Sequence, residues 1–320
     1  MTNELDRRSF LARGAAVAAS MTLPAAGSVV QATTNPGASD GTSGMRTRQV
    51  PGTDEYLPVI GLGAPRPFIE MPEEGKQLPV SLVQAMVDEG GLVIDTPAFF
   101  RPDVPVIGGV LQDMGLQDDL FLITKITVSG KEEGNAHLER AVANLDKRPV
   151  DAVLIHNMRQ MDVHWPTLRA WKESGKARYI GVSLTRETDY SRLIAFMKRE
   201  RPDFVMTGYS ITQQGPEKEV LPLAADLGVG ILGAEPFKAF EDGAYFSVVA
   251  GKELPEWAAE FDCESWAQFS LKYILSHPAM TCVVTETSKV KHVVDNMGAG
   301  YGRLPDAAMR KRMSDYLLSL

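Results

Sequence analysis

Eight short apolar runs, separated by segments of helical spacing, constrain what this chain can fold into more than any other feature. The runs are Leu57–Gly63, Leu92–Thr96, Leu120–Ile126, Val150–His156, Tyr179–Ser183, Phe204–Tyr209, Val229–Glu235 and Thr281–Thr285. Continuous apolar runs of this length fit strands buried on both faces. Between them, 79–89, 104–114, 132–145, 164–172, 188–199, 217–227 and 265–275 carry helical spacing. Strand-then-helix alternation predicts a parallel sheet covered by helices, and eight such units close an α/β fold, the (β/α)8 barrel. Pro79 suits a first helical turn, while Gly90-Gly91 and Gly228 suit helix ends. With 320 residues, 44% of them hydrophobic, the chain has enough core for one such domain, which typically needs about 250 residues.

The first residues do not belong to this pattern. Asp6-Arg7-Arg8-Ser9-Phe10-Leu11-Ala12 precedes a weakly apolar, Ala-rich run from Gly14 to Met21 that is too short for a stable membrane anchor. This looks like a twin-arginine signal over residues 1–32, followed by a Gly/Ser/Thr/Pro-rich linker over 33–45 and the barrel over 46–320. It implies export to the periplasm or beyond, with the twin-arginine machinery as a partner. A net charge of −8 without a basic patch disfavours nucleic-acid binding. Cys263 and Cys282 match no metal motif and are expected as buried thiols, and the five histidines form no ligand cluster, so no metal is expected.

In a parallel barrel the active site lies at the C-terminal ends of the strands. Polar residues at those ends are Asp95, Lys125, His156, Ser183, Tyr209 and Glu235, each closing an apolar run. An aspartate beside a lysine holds the ammonium, and a neighbouring histidine can hydrogen-bond a substrate oxygen, so the trio can polarise a carbonyl. The bland alternative for Asp95 and Lys125 is a salt bridge at the barrel mouth. The loop from Phe237 to Glu256 is long enough for a lid.

Six ordered segments resemble the aldo-keto reductase family: Gly61-Leu62-Gly63, Gly91 to Thr96, Phe121 to Lys125, Asp151 to His156, Lys176 to Ser183 and Ser270 to Leu275. The resemblance covers residues 45 to 300. It implies NADPH lying extended across the barrel mouth and reduction of aldehydes or ketones by an aspartate, tyrosine, lysine and histidine tetrad. Asp95, Lys125 and His156 match three members, but the tyrosine position, five residues after the aspartate, holds Phe100.

The implied cofactor contacts depart as well. Ser183 is kept, but Leu184 and Met206 replace an asparagine and a glutamine, and Glu235 stands where a ring would stack on the nicotinamide. Glu286 would repel a 2′-phosphate, whereas His292, Asp295 and Asn296 resemble the adenosine end, Lys289 or Lys291 could supply positive charge, and Thr287, Ser288 and Tyr209 are placed with the cofactor contacts. The resulting expectation is an oxidoreductase of a small carbonyl or hydroxy compound using NADP or NAD, with its acid replaced. Two alternatives stay open at this point. One is a cofactor-independent lyase, dehydratase or isomerase using Lys125, His156 and Glu235; the other is a non-catalytic binding protein.

Overall fold

The computed structural model describes residues 35–63, 68, 75–96, 107–185, 189–239 and 243–320. The expected signal segment and Phe100 lie outside them. Strand β1 (Thr47–Gln49) pairs antiparallel with β2 (Tyr56–Pro58). Then come β3 (Ile60–Leu62), β4 (Val93–Asp95), β5 (Phe121–Ile126), β6 (Val150–Ile155), β7 (Ala177–Leu184), β8 (Phe204–Gly208) and β9 (Gly230–Ala234). A two-stranded ribbon, β10 (Lys238–Ala239) with β11 (Gly243–Ala244), sits in the loop after β9. Strand β12 (Met280–Thr285) pairs in parallel with both β9 and β3 and closes the eight-stranded barrel.

The pleat sorts the side chains into two cores, because successive residues of a strand point to opposite faces. Val93, Phe121, Ile123, Ala152, Leu154, Tyr179, Phe204, Met206, Leu232, Ala234, Cys282 and Val284 form one buried cluster, the barrel interior. Their neighbours on the same strands, such as Ile94, Leu122, Val153, Ile155, Val182, Val205 and Ile231, pack in a second cluster with the surrounding helices. Phe121, Tyr179 and Phe204 form the lowest layer with centroids 5.4–6.0 Å apart, Phe204 meeting the other two rings edge to face. Val50 and Leu57 from the β1–β2 hairpin plug that end. Tyr179 donates to the Glu55 carboxylate at 2.6 Å, and Arg178 bridges Glu55 and Asp151. Gly181 lets β7 approach β8, since a Cβ there would lie 2.0 Å from the Phe204 carbonyl oxygen.

Helices follow most strands close to the expected bounds, among them Gln77–Asp88, Lys131–Leu145, Met161–Glu173 and Trp266–Leu275. The last is capped by Ser265, whose hydroxyl accepts from the Gln268 amide at 3.1 Å. The run read as one strand over Leu57–Gly63 divides at Val59. Its first part serves the hairpin and its second the barrel, while the Val59 amide turns aside to donate to the Arg46 carbonyl. Two helices not anticipated, Val290–Gly298 and Ala307–Leu318, complete the ring.

Residues 35–45, expected as linker, are docked instead. Ser39 and Gly37 bond to the Thr47 hydroxyl, and Gly302 donates to the Gly41 carbonyl. Tyr209 also requires a correction. Phe204, Met206 and Gly208 alternate toward the interior, so Tyr209 faces outward, fully buried against the helix layer. It donates to Glu217 at 2.5 Å and accepts from Arg310 at 2.7 Å. Tyr273 donates to the same Glu217 oxygen at 2.9 Å, and the Arg310 guanidinium lies over the Tyr273 ring. This hub fastens the C-terminal helix to the barrel.

His277 lies edge-on to Tyr209, and its Nδ1 accepts the Ala279 amide. Burial, then the charges of Arg310 and Arg48, hold its pKa below the ordinary 6.5. Burial lowers His137 in the same way. As pH falls through about 6.5, the unfolded chain therefore binds protons that the native state does not, and stability drops. Urea unfolding measured from about pH 7.5 to about pH 5 is expected to show this decline. His277→Gln should flatten it, and an unchanged slope would contradict the assignment.

Candidate active site

The same alternation that fills the barrel interior delivers its top layer. Two residues above Val93, Ile123, Leu154 and Val284 stand Asp95, Lys125, His156 and Glu286, all facing one cavity of about 400 Å³ at the C-terminal mouth. Glu235 and Lys238 complete its charged lining, and Met206 and Ala234 form its floor. Asp95, Lys125, His156 and Glu235, read from sequence as catalytic, are thus brought together.

Lys125 and Asp95 are each 7% exposed, and the ammonium donates directly to the Asp95 carboxylate. A buried ion pair of this kind is costly to break one-sidedly, because the survivor is left without its counter-charge. Behind it, His137 Nε2 lies 3.2 Å from the Lys125 carbonyl and steadies the strand end.

His156 is oriented by a residue that the strand-end reading passed over. Asn157 adopts a left-handed backbone (φ 49°), which asparagine tolerates better than most residues. Its amide N–H donates to Ser183 Oγ at 2.9 Å. Its side-chain oxygen accepts from both the amide and the hydroxyl of Thr185, at 3.3 and 3.4 Å. That fixes the side-chain NH2 toward His156 Nε2, 3.3 Å away, so Nε2 accepts and the ring proton belongs on Nδ1, facing Ser183 Oγ at 3.2 Å. Ser183 is therefore a completely buried support for the histidine rather than part of the cavity wall.

Glu235 breaks the strand alternation. Its φ of 54° places a non-glycine residue in the left-handed region and turns its side chain into the cavity. The carboxylate lies 3.5 Å from Lys238 Nζ, and the Glu235 carbonyl accepts the Lys238 amide. Ser210 and Thr212 hydroxyls donate to the Lys238 carbonyl at 2.9 and 2.8 Å, holding the turn in place. Glu235 is thereby tied into an ion pair, a poor starting point for the free general base of a cofactor-independent reaction.

A second cavity of about 230 Å³ shares Phe237 and Glu286 with the first. Thr287, His292 and Asn296 line it, together with Phe246, Trp266 and Asp295; Ser288 is not in its lining. Asn157 and Lys238 carried no separate signal in the sequence, whereas Asp295 resembled the adenosine end together with His292 and Asn296. Asn157 was detectable only as a left-handed-tolerant residue directly after His156. Cys263 and Cys282 are buried thiols, and burial raises the Cys263 pKa to about 12. Among the described residues no cluster of three metal-ligating side chains occurs, and no helix is long and apolar enough to cross a membrane.

A closed parallel barrel with its charged residues gathered at the C-terminal mouth is the architecture of a large class of enzymes. Comparison with known sequences narrows it. Residues 59–312 match the model of the aldo/keto reductase family, and the chain belongs to that family. It is 23% identical over 296 residues to the uncharacterized oxidoreductase YqkF of Bacillus subtilis, covering 81% of this chain and 92% of that protein. Among solved structures it is similar to the holo form of aldo-keto reductase AKR11C1 from Bacillus halodurans (TM-score 0.65, 19% identity, 85% and 96% coverage). It is also similar to an aldo-keto reductase from Klebsiella pneumoniae in complex with NADPH (TM-score 0.62, 19% identity, 83% and 93% coverage). At these identities the structural matches speak for the fold.

The hydrogen-bond chain through Asn157 makes a spectroscopic prediction. In 15N-histidine NMR near pH 8, the His156 signal, assigned by its loss in His156→Gln, should show the Nδ1–H tautomer. Asn157→Ala should shift it toward the Nε2–H form that dominates in free imidazole side chains. A wild-type Nε2–H signature would refute the network.

Proposed function

We propose that the protein interconverts a small carbonyl compound and its alcohol with a nicotinamide dinucleotide, using Lys125 in place of the family's phenolic acid. One observation carries this reading: two adjoining cavities meet at Phe237 and Glu286, one containing Asp95, Lys125 and His156 and the other Thr287, His292 and Asn296. The distal cavity fits an adenosine group. Phe237, Phe246 and Trp266 offer apolar rings to a base, while Thr287 and Asn296 offer polar atoms to its edge and ribose. The NADPH held by the Klebsiella relative supports the same assignment.

When bound, the nicotinamide would supply or accept the hydride. The chain's own residues supply the rest. Lys125, held by Asp95, presents its ammonium to the substrate oxygen, stabilises negative charge there and gives up the one proton that an alkoxide needs. Asp95 keeps the ammonium aimed, and the open cavity lets solvent return the proton. His156, with Nε2 taken by the Asn157 side-chain NH2 and Nδ1 by Ser183, forms a fixed wall of the cavity beside the substrate. Phe100, at the tyrosine position of the sequence, has no proton to give.

Steady-state kinetics with a panel of small aldehydes and ketones tests the reading. Lys125→Met should lower kcat/KM by about 10²-fold or more, the usual scale of an acid–base group, and Phe100→Tyr should raise it by at least about tenfold. Retained activity in Lys125→Met would remove Lys125 as the acid, and an inert Phe100→Tyr would remove the substituted-acid reading. The Arg7-Arg8 segment supports export of the folded protein. Cell fractionation should find the wild type outside the cytoplasm and Arg7→Lys with Arg8→Lys retained inside.

A further inference from the structure

We propose that His137 and His164 are positioning residues: their Nε2–H groups grip two carbonyls at the end of β5 and so fix where the Lys125 ammonium meets the substrate oxygen. This rests on the reading of Lys125 as the acid and adds the side chains that place it.

The carbonyls at this strand end need partners that the sheet does not supply. The Ile123 carbonyl accepts the Thr96 amide at 2.9 Å, the last ladder bond toward β4 among the described residues. Carbonyls two residues apart on a strand point the same way, so that of Lys125 reaches past the ladder. His137, on the helix Lys131–Leu145, takes it at 3.2 Å. Strand β5 ends at Ile126, and His164, on the helix Met161–Glu173, takes the Val128 carbonyl at 3.1 Å. A carbonyl only accepts, so both rings carry a proton on Nε2. Between them Arg159 donates to the Thr127 carbonyl at 3.1 Å, and Gln160 Oε1 accepts the Gly130 amide at 2.7 Å. The stretch leaving Lys125 is thus laced to the turn that leaves His156.

The packing gives up stability to make these bonds. His137 and His164 are 7% and 1% exposed, and the buried Nδ1 of His164 has no hydrogen-bond partner among the described residues. Leaving a buried ring nitrogen unpaired is unfavourable. Gly134 sits inside a helix, where alanine would be more stable, and a Cβ there would come within 2.6 Å of His164 Cε1. Both concessions serve the one bond that His164 makes to the loop. A strand end free to shift would carry the Lys125 backbone with it, and displacing a catalytic group by about 1 Å can cost on the order of 10²-fold in rate.

A Cε–Nζ correlation spectrum of the full-length protein with isotope-labelled lysine tests the placement without turnover. The Lys125 signal, assigned by its loss in Lys125→Met, should move in His137→Met. It should return to the wild-type position in His137→Gln, whose side-chain amide keeps a donor at the place of Nε2. Gly134→Ala, which favours the helix but displaces the His164 ring, should move it as well. With small aldehydes, His137→Met should lower kcat at least about tenfold and leave KM within about twofold, and His137→Gln should restore kcat. A Lys125 signal unmoved in Gly134→Ala and in His137→Met, each shown folded by circular dichroism, overturns the proposal. So does a kcat untouched by His137→Met in a protein that Lys125→Met inactivates. A signal that moves as expected while turnover survives Lys125→Met keeps both histidines as the residues that place Lys125 and removes only the acid reading.

Discussion

Side chains on a barrel strand alternate between the axis and the surrounding helices, and the site of this protein is the uppermost turn of that alternation. Phe121, Ile123 and Lys125 are one inward series; Ala152, Leu154 and His156 are another; Val93 and Asp95 are a third. The lower members fill the interior with apolar volume and fix the strand register. Once they are packed, the position of the ammonium beside the carboxylate is no longer adjustable, because a slip of one residue would reverse every side chain. Interior packing is therefore what positions the Lys125–Asp95 pair, and the cost of burying two charges is offset by a partner already in place.

The mouth acquires its individual character where the alternation stops. After β6 and β9 the chain enters left-handed backbone at Asn157 and Glu235, and each turn re-aims polar groups that strand geometry alone would not deliver. Asn157, itself anchored by Thr185, holds the imidazole against Ser183; Glu235 faces the cavity and pairs with Lys238. Both turns are over-determined by hydrogen bonds, which is how a sparsely populated conformation persists. The scaffold below is thus generic, while the chemistry above is set by a few residues with unusual dihedrals.

This division explains what was legible in the sequence. The eight strands and their functional ends stood out because a strand buried on both faces is a continuous apolar run, and an ionisable residue closing it is conspicuous. Tyr209 was misplaced for want of parity: counting by twos from Phe204 and Met206 reaches Gly208, so the tyrosine belongs to the outer face. Ser183 has the right parity but is covered by the imidazole. The split at Val59 was hidden because hairpin and barrel strands share one apolar run. The helices Val290–Gly298 and Ala307–Leu318 lie beyond the last strand, where no following strand marks an end. The docked segment 35–45 has turn-rich composition, and its bonds go to residues far along the chain, which local pattern cannot reveal.

Those distant bonds have a kinetic meaning. Arg46 donates its amide to the Gly300 carbonyl and its guanidinium to the Gly302 carbonyl, a closure spanning 256 residues, and Gly302 answers by donating to Gly41. The seat for Gly41 and Arg46 does not exist until the turn after the helix Val290–Gly298 has been laid down. Such a ring cannot be completed in the order in which it is synthesised. Its two extremities must meet after everything between them has collapsed, which makes the barrel a slow, late-closing and cooperative unit whose ends stabilise each other.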